Sequence, residues 1–188
     1  VVVVALAASA AGPAHAEPQA NAGLRLGGAA VGEGGAFWDH AELHLGAHGD
    51  LILGRSRATD FGVGPYLALG TLAFDELDLG SGLSLLLPVH DSFPIVVSGG
   101  FFGRVGDDGF GFEPGVAGAL FWGSRSYNFH AHYVMSVGLS LGYALSLGDS
   151  RESSLLLAAH LDAVALALPF VALAHLIRGP SREAAPIE

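Results

Sequence analysis

The chain has 188 residues, half of them apolar and only 14% charged, with 28 glycines, no cysteine and a formal net charge of −10. That length describes one domain; the charge excludes nucleic acid as a partner, and the missing cysteines exclude disulfides and thiolate metal sites. No charge-free run of about 18 apolar residues follows the first few positions, which excludes ordinary helical membrane spans.

Residues 1–16 read as the remnant of a signal peptide. VVVVALAASAAG is an apolar core, and Ala14-His15-Ala16 is a small-x-small cleavage site before Glu17. The expected product is an exported protein. A short buried strand or helix is the alternative for this stretch. Residues 17–22 are a polar leader, and 23–167 form the expected barrel domain.

The first strand is expected over 23–31, ending at the turn GEGG. The second, 39–55, alternates clearly: Leu43, Leu45, Ala47, Leu51 and Leu53 share one face, while Glu42, His44, His48 and Asp50 share the other. SRATD turns the chain into a third strand, 61–74. There Phe61, Val63, Leu67 and Leu69 oppose Gly62, Gly64, Tyr66 and Gly70, and Pro65 suggests a bulge. A tight turn near Asp75 leads to 77–89, a run of alternate leucines opposed by Glu76, Asp78, Gly80, Gly82 and Ser84. Strands at 93–105 and 111–123 flank the hairpin signal GDDG.

The clearest alternation covers 128–147. One face carries Phe129, Tyr133, Met135, Val137, Leu139, Leu141 and Tyr143; the other carries His130, His132, Ser136, Gly138, Ser140 and Gly142. A soluble barrel turns its greasy face inward. Here the second face is small and polar, which fits lipid outside and a packed or wet lumen inside. GDSRES then leads to the eighth strand, 153–167, whose inward set includes Ser154, His160 and Asp162. Pro169 begins a possible short apolar helix at 168–179, placed to plug a mouth or lie on the membrane interface. Continuation of the eighth strand is the other reading of this segment, and 180–188 is a disordered tail.

The expected fold is therefore all-β: an antiparallel up-and-down transmembrane β-barrel of eight strands, with a short C-terminal helix possible. Eight is the smallest number that closes a membrane barrel around a filled interior, and closure removes edges that lipid would not satisfy. On the signal peptide, strand number and dyad alternation, the chain resembles the small outer-membrane β-barrels of Gram-negative bacteria, the OmpA-like and OmpX-like group. The resemblance implies an outer-membrane location, a monomer, and membrane lipid or lipopolysaccharide as partner. It also implies a structural or small-solute, porin-like role without catalysis or cofactor. Members of that group end on an aromatic residue in the last strand; the apolar segment and polar tail here imply an internal assembly signal.

The lumen candidates are Glu42, His44, His48, Asp50, His130, His132, His160 and Asp162, joined by Asp60, Glu76, Asp78 and Glu113. Imidazole and carboxylate are the groups a divalent metal uses, and His130 and His132 have a spacing that can turn both rings toward one ion. A lumen filled by hydrogen-bonded polar side chains accounts for the same residues, and no metal or cofactor is assigned. A lipid-modifying enzyme would draw on His130, His132 and Ser136. However, Ser136 lies roughly 13 Å along the strand from His132, beyond proton transfer. A secreted soluble barrel carrying an apolar ligand is a further alternative, and it requires apolar residues inside. Phe37, Trp38, Phe93, Phe112, Trp122, Tyr127, Phe129 and Tyr133 lie near expected strand ends, as two aromatic girdles would. The turns at 75–76, 107–108 and 149–152 are acidic and would share one rim, either binding divalent cations or simply solvated. Arg55, Arg57 and Arg125 belong to turns at the other.

Overall fold

Strict two-residue alternation gives each strand one face for each side of a sheet, and closing that sheet separates an inside from an outside. The computed structural model describes residues 18–34, 36–106, 112–125, 135–165, 168–170 and 173. Its strands are β1 (Gln19–Gly32), β2 (His40–Ile52), β3 (Gly62–Leu72), β4 (Glu76–Leu87), β5 (Ile95–Gly106), β6 (Phe112–Ser124), β7 (Val137–Ser146) and β8 (Ser153–Asp162). Each pairs antiparallel with the next, and β8 pairs with β1, closing the barrel in sequence order. The expected eight-stranded up-and-down barrel is the observed fold.

The outward faces are apolar and exposed: Leu67 and Leu69 on β3, Leu77, Leu79, Leu83 and Leu85 on β4, and Leu139 and Leu141 on β7. The inward faces bury Arg25, His48, Asp50, Ser84, Ser98, Arg104, Ser140 and His160. This is the inverse of a soluble barrel, and it removes the basis for an apolar cargo inside. An apolar belt encircling the molecule far exceeds the few hundred Å² that soluble monomers expose. The aromatic residues Phe37, Trp38 and Phe112 are exposed toward one end, and Phe93 and Trp122 toward the other. Tyr127, Phe129 and Tyr133 lie outside the described residues.

Several boundaries differ from expectation. β1 begins at Gln19, inside the polar leader, because Gln19 and Asn21 point inward and pair with Ile52 and Asp50 of β2. β7 begins at Val137, with Met135 and Ser136 ahead of the strand; residues 128–134 of the expected strand lie outside the described residues. Pro65 makes no bulge. The pair Leu53–Val63 lies in the same register as Asp50–Tyr66, so the β2–β3 ladder is interrupted at the proline but not shifted. Beside it, a Cβ on Gly64 would stand 1.7 Å from the Leu51 carbonyl oxygen, so the two backbones approach as only glycine permits.

The β3–β4 turn closes with Asp75 N–H donating to Leu72 O at 3.0 Å. Its central residues, Ala73 and Phe74, both have positive φ (47° and 70°), the primed-turn geometry that suits hairpin twist but usually takes Gly or Asn. β8 ends at Asp162, not near 167. The Asp162 carboxylate accepts the backbone N–H of Val164 at 2.8 Å, and residues 163–165 and 168–170 are helical. An aspartate that caps in this way starts a helix, so helical backbone begins ahead of Pro169 rather than at it. Phe170 is 74% exposed, which places that ring outside the lumen and leaves the barrel mouth unplugged by it.

Candidate functional site in the lumen

The strand ends define two ends of the barrel. At the terminal end β1 starts, β8 stops and the β2–β3, β4–β5 and β6–β7 connections turn. At the distal end lie the other four turns. Inward side chains form an apolar cluster and a charge network near each end, with a cavity between them.

Near the terminal end Ile52, Leu86, Val96 and Phe121 pack together, with Ile52 and Leu86 0% exposed. Around them, Arg125 binds both carboxylate oxygens of Asp50, and His48 Nε2 stands 3.5 Å from Asp50 Oδ2. His48 stacks on Tyr66 at 5.3 Å between ring centroids. His160 sets its ring edge-on to Phe121 at 5.0 Å, and neither of its ring nitrogens has a hydrogen-bond partner among the described residues. Ser84 and Ser98 share a hydroxyl hydrogen bond of 2.7 Å. Asp162 accepts the backbone N–H of Ser136 at 2.9 Å, which ties β8 to the chain entering β7.

Near the distal end Ala29, Val31 and Leu72 form the second cluster, with Leu156 against it. Arg104 dominates the charges there. It donates to both oxygens of Asp78 at 2.7 and 3.1 Å, lies 3.0 Å from Glu76, and is paired with Glu152. Its guanidinium also sits 5.6 Å from the Phe102 ring centroid. Glu113 is held by Ser146 Oγ at 2.7 Å and by the Ser150 backbone N–H at 3.1 Å. Three carboxylates paired with one arginine, and Glu113 held by serines, leave this end acidic.

Between the networks is a cavity of about 110 Å³. Its walls include the small residues Ala68, Gly80, Ala117, Ala119 and Gly142, together with Arg25, His44, His48, Tyr66 and Phe102. Arg25 reaches it from β1, while the space beside Gly23 on the same face is taken by the His160 ring.

The expected lumen residues divide by position. The structure brings His48, Asp50 and His160 together around a small pocket shared with Arg25 and Arg125, and puts His44 on the cavity wall. Glu42 stands apart at the distal rim, hydrogen-bonded to His40 at 2.8 Å. Asp162 serves backbone N–H groups at the opposite rim. Asp60 is not in the lumen; it closes the β2–β3 turn, accepting the backbone N–H groups of Ser56 and Arg57 at 2.9 and 2.8 Å. Those bonds hold its carboxyl below the usual aspartate range. His130 and His132 lie outside the described residues. Among the described residues no set of three or more His, Asp and Glu is arranged to hold a metal ion.

The residues that sequence reasoning missed are arginines. Arg25 shares the parity of Gly23 and Gly27, and Arg104 that of Ser98 and Phe102, so alternation alone marks both as inward. Arg125 continues the inward parity of Phe121 and Gly123 one residue past β6, so it reaches the lumen instead of the turn solvent.

No family model and no curated protein sequence matches the chain. Among solved structures, a protein from a study titled "De novo design of transmembrane beta-barrels" aligns with 75% of this chain and 95% of its own. The identity is 11% and the TM-score 0.39. Ail, the attachment invasion locus protein of Yersinia pestis, solved in complex with the heparin analogue sucrose octasulfate, aligns with 78% of this chain and 99% of its own. The identity is 10% and the TM-score 0.41.

Proposed function

We propose that the protein is a monomeric outer-membrane β-barrel with a structural or small-solute role and no catalytic one. The observation that carries this reading is the inversion of its faces: leucines stand exposed around the wall while arginine, aspartate and histidine are buried within it. In water each exposed leucine forgoes about 1.5–3 kcal/mol of burial, whereas in hydrocarbon the same face is already solvated. The partner proposed for the outer face is membrane lipid, including lipopolysaccharide at a distal rim that exposes Asp75 and Asp149.

Two apolar clusters narrow the lumen, which favours a scaffold over an open channel. The remaining central cavity suits an ion or a molecule of a few atoms. The test is membrane fractionation of the expressed protein with gel mobility before and after heating. Recovery from the outer membrane with a heat-dependent shift is expected; a soluble, periplasmic protein would overturn the proposal.

A further inference from the structure

Arg25 is a buried guanidinium that forms no ion pair among the described residues. It is only 9% exposed, its Nε has no hydrogen-bond partner, and no carboxylate among the described residues lies within ion-pair distance of it. The two acids nearest its surroundings are already engaged: Arg125 takes both oxygens of Asp50, and Arg104 takes both oxygens of Asp78. A guanidinium keeps its charge in proteins, and an unpaired buried charge is costly. Water in the cavity would hydrate this group without neutralising it.

We infer that the central cavity binds one small monovalent anion against Arg25, of the class of halide, nitrate or formate. Size supports this class: about 110 Å³ is less than the roughly 150 Å³ of a cavity that accommodates benzene, yet larger than one water requires. Charge supports it too, since a single uncompensated cation calls for a single negative charge. The walls add the polar residues Tyr66, His44, Ser98 and Ser154; the acid among them, Asp78, has both oxygens on Arg104, and alanine and glycine make up much of the rest. In such surroundings a charge-assisted hydrogen bond to the guanidinium is worth more than it would be in water. The inference concerns the lumen alone and does not depend on which solvent meets the outer face.

The experiment follows thermal unfolding of the purified, folded barrel in detergent at fixed pH and ionic strength. Sodium bromide, nitrate or formate is titrated against sodium gluconate, whose anion is too large for the cavity. Each small anion should raise the unfolding midpoint saturably, on the order of a few degrees, while gluconate should not. Arg25→Gln should abolish the rise. An equal midpoint in all salts, or a rise that persists in Arg25→Gln, would overturn the inference. Should that variant not fold, crystals of the wild type grown in sodium bromide decide the matter. An anomalous peak within hydrogen-bond reach of the Arg25 guanidinium supports the site, and an empty cavity refutes it.

Discussion

Arg125 and Asp50, 75 positions apart in the chain, meet in the lumen with two guanidinium nitrogens on two carboxylate oxygens. The pair joins the end of β6 to β2 across the barrel, so it fixes strands that do not touch through the sheet. Removing one partner leaves the other buried and charged. Asp50→Ala should therefore destabilise the fold by roughly 3–5 kcal/mol, whereas the double variant Asp50→Leu with Arg125→Met should recover most of that loss. Urea unfolding followed by tryptophan fluorescence checks both. Equal losses in the single and double variants would mean the pair is not the coupled unit described.

Glycine use separates contact from open space. Gly64→Ala would push a methyl group into the Leu51 carbonyl, and a cost at or above about 3 kcal/mol is expected. Gly99 faces outward on β5, with nothing within 4 Å of a Cβ placed there. Gly99→Ala should change stability by less than about 1 kcal/mol, in the stabilising direction. The same unfolding series compares them directly.

The fold was legible because a barrel wall is periodic: one parity faces outward and the other the lumen for strand after strand, and eight repeats leave closure as the economical solution. Register was less legible. Pro65 suggested a bulge, yet the flanking pairs keep one register because the interruption falls on a ladder that simply resumes at Leu53 and Val63. The site was legible only by half. His44, His48, Asp50 and His160 follow from parity, and Arg25 and Arg104 share the inward parity of their strands, but Arg125 lies in a turn sequence one residue past β6, where alternation no longer applies. Which acid each arginine meets depends on contacts across the lumen, between strands far apart in sequence, and no local pattern encodes those.

The β3–β4 turn carries identifiable strain. Ala73 and Phe74 occupy left-handed backbone that costs an L-residue roughly 1–2 kcal/mol each. Asparagine tolerates this region, so Ala73→Asn should stabilise the barrel by up to about 1 kcal/mol while leaving the exposed Phe74 ring in place. A lower urea midpoint for this variant would contradict the turn geometry.

Asp60 gives the β2–β3 turn a dependence on acid. Its carboxylate accepts the Ser56 and Arg57 N–H groups, and those bonds favour the charged form and lower its pKa. The order they impose is present above the ordinary aspartate value of roughly 4 and is lost as pH falls through the lower folded value. Amide resonances of Ser56 and Arg57 should shift together, with a midpoint lower than that of an ordinary aspartate. Asp60→Asn should remove that transition. A midpoint at or above the ordinary value would show that the bonds do not form.

The apolar cluster at the terminal end makes a prediction about transport. Ile52, Leu86, Val96 and Phe121 pack together in the lumen there, and Phe121 also supports the His160 ring. Wild-type protein in planar bilayers should show little or no stepwise conductance, because eight strands enclose an interior just wide enough for side chains. Truncating the plug with Phe121→Ala and Ile52→Ala removes the two bulkiest obstructions without touching the Asp50–Arg125 pair. Phe→Ala alone should cost about 3–5 kcal/mol, so folding must first be confirmed by the heat-dependent gel shift. The folded double variant should then conduct in discrete steps. Large steps from the wild type would show that the cluster does not block the lumen. Silence from the folded double variant would place the block at the distal end, where Leu72, Val31 and the Arg104 network form a second barrier.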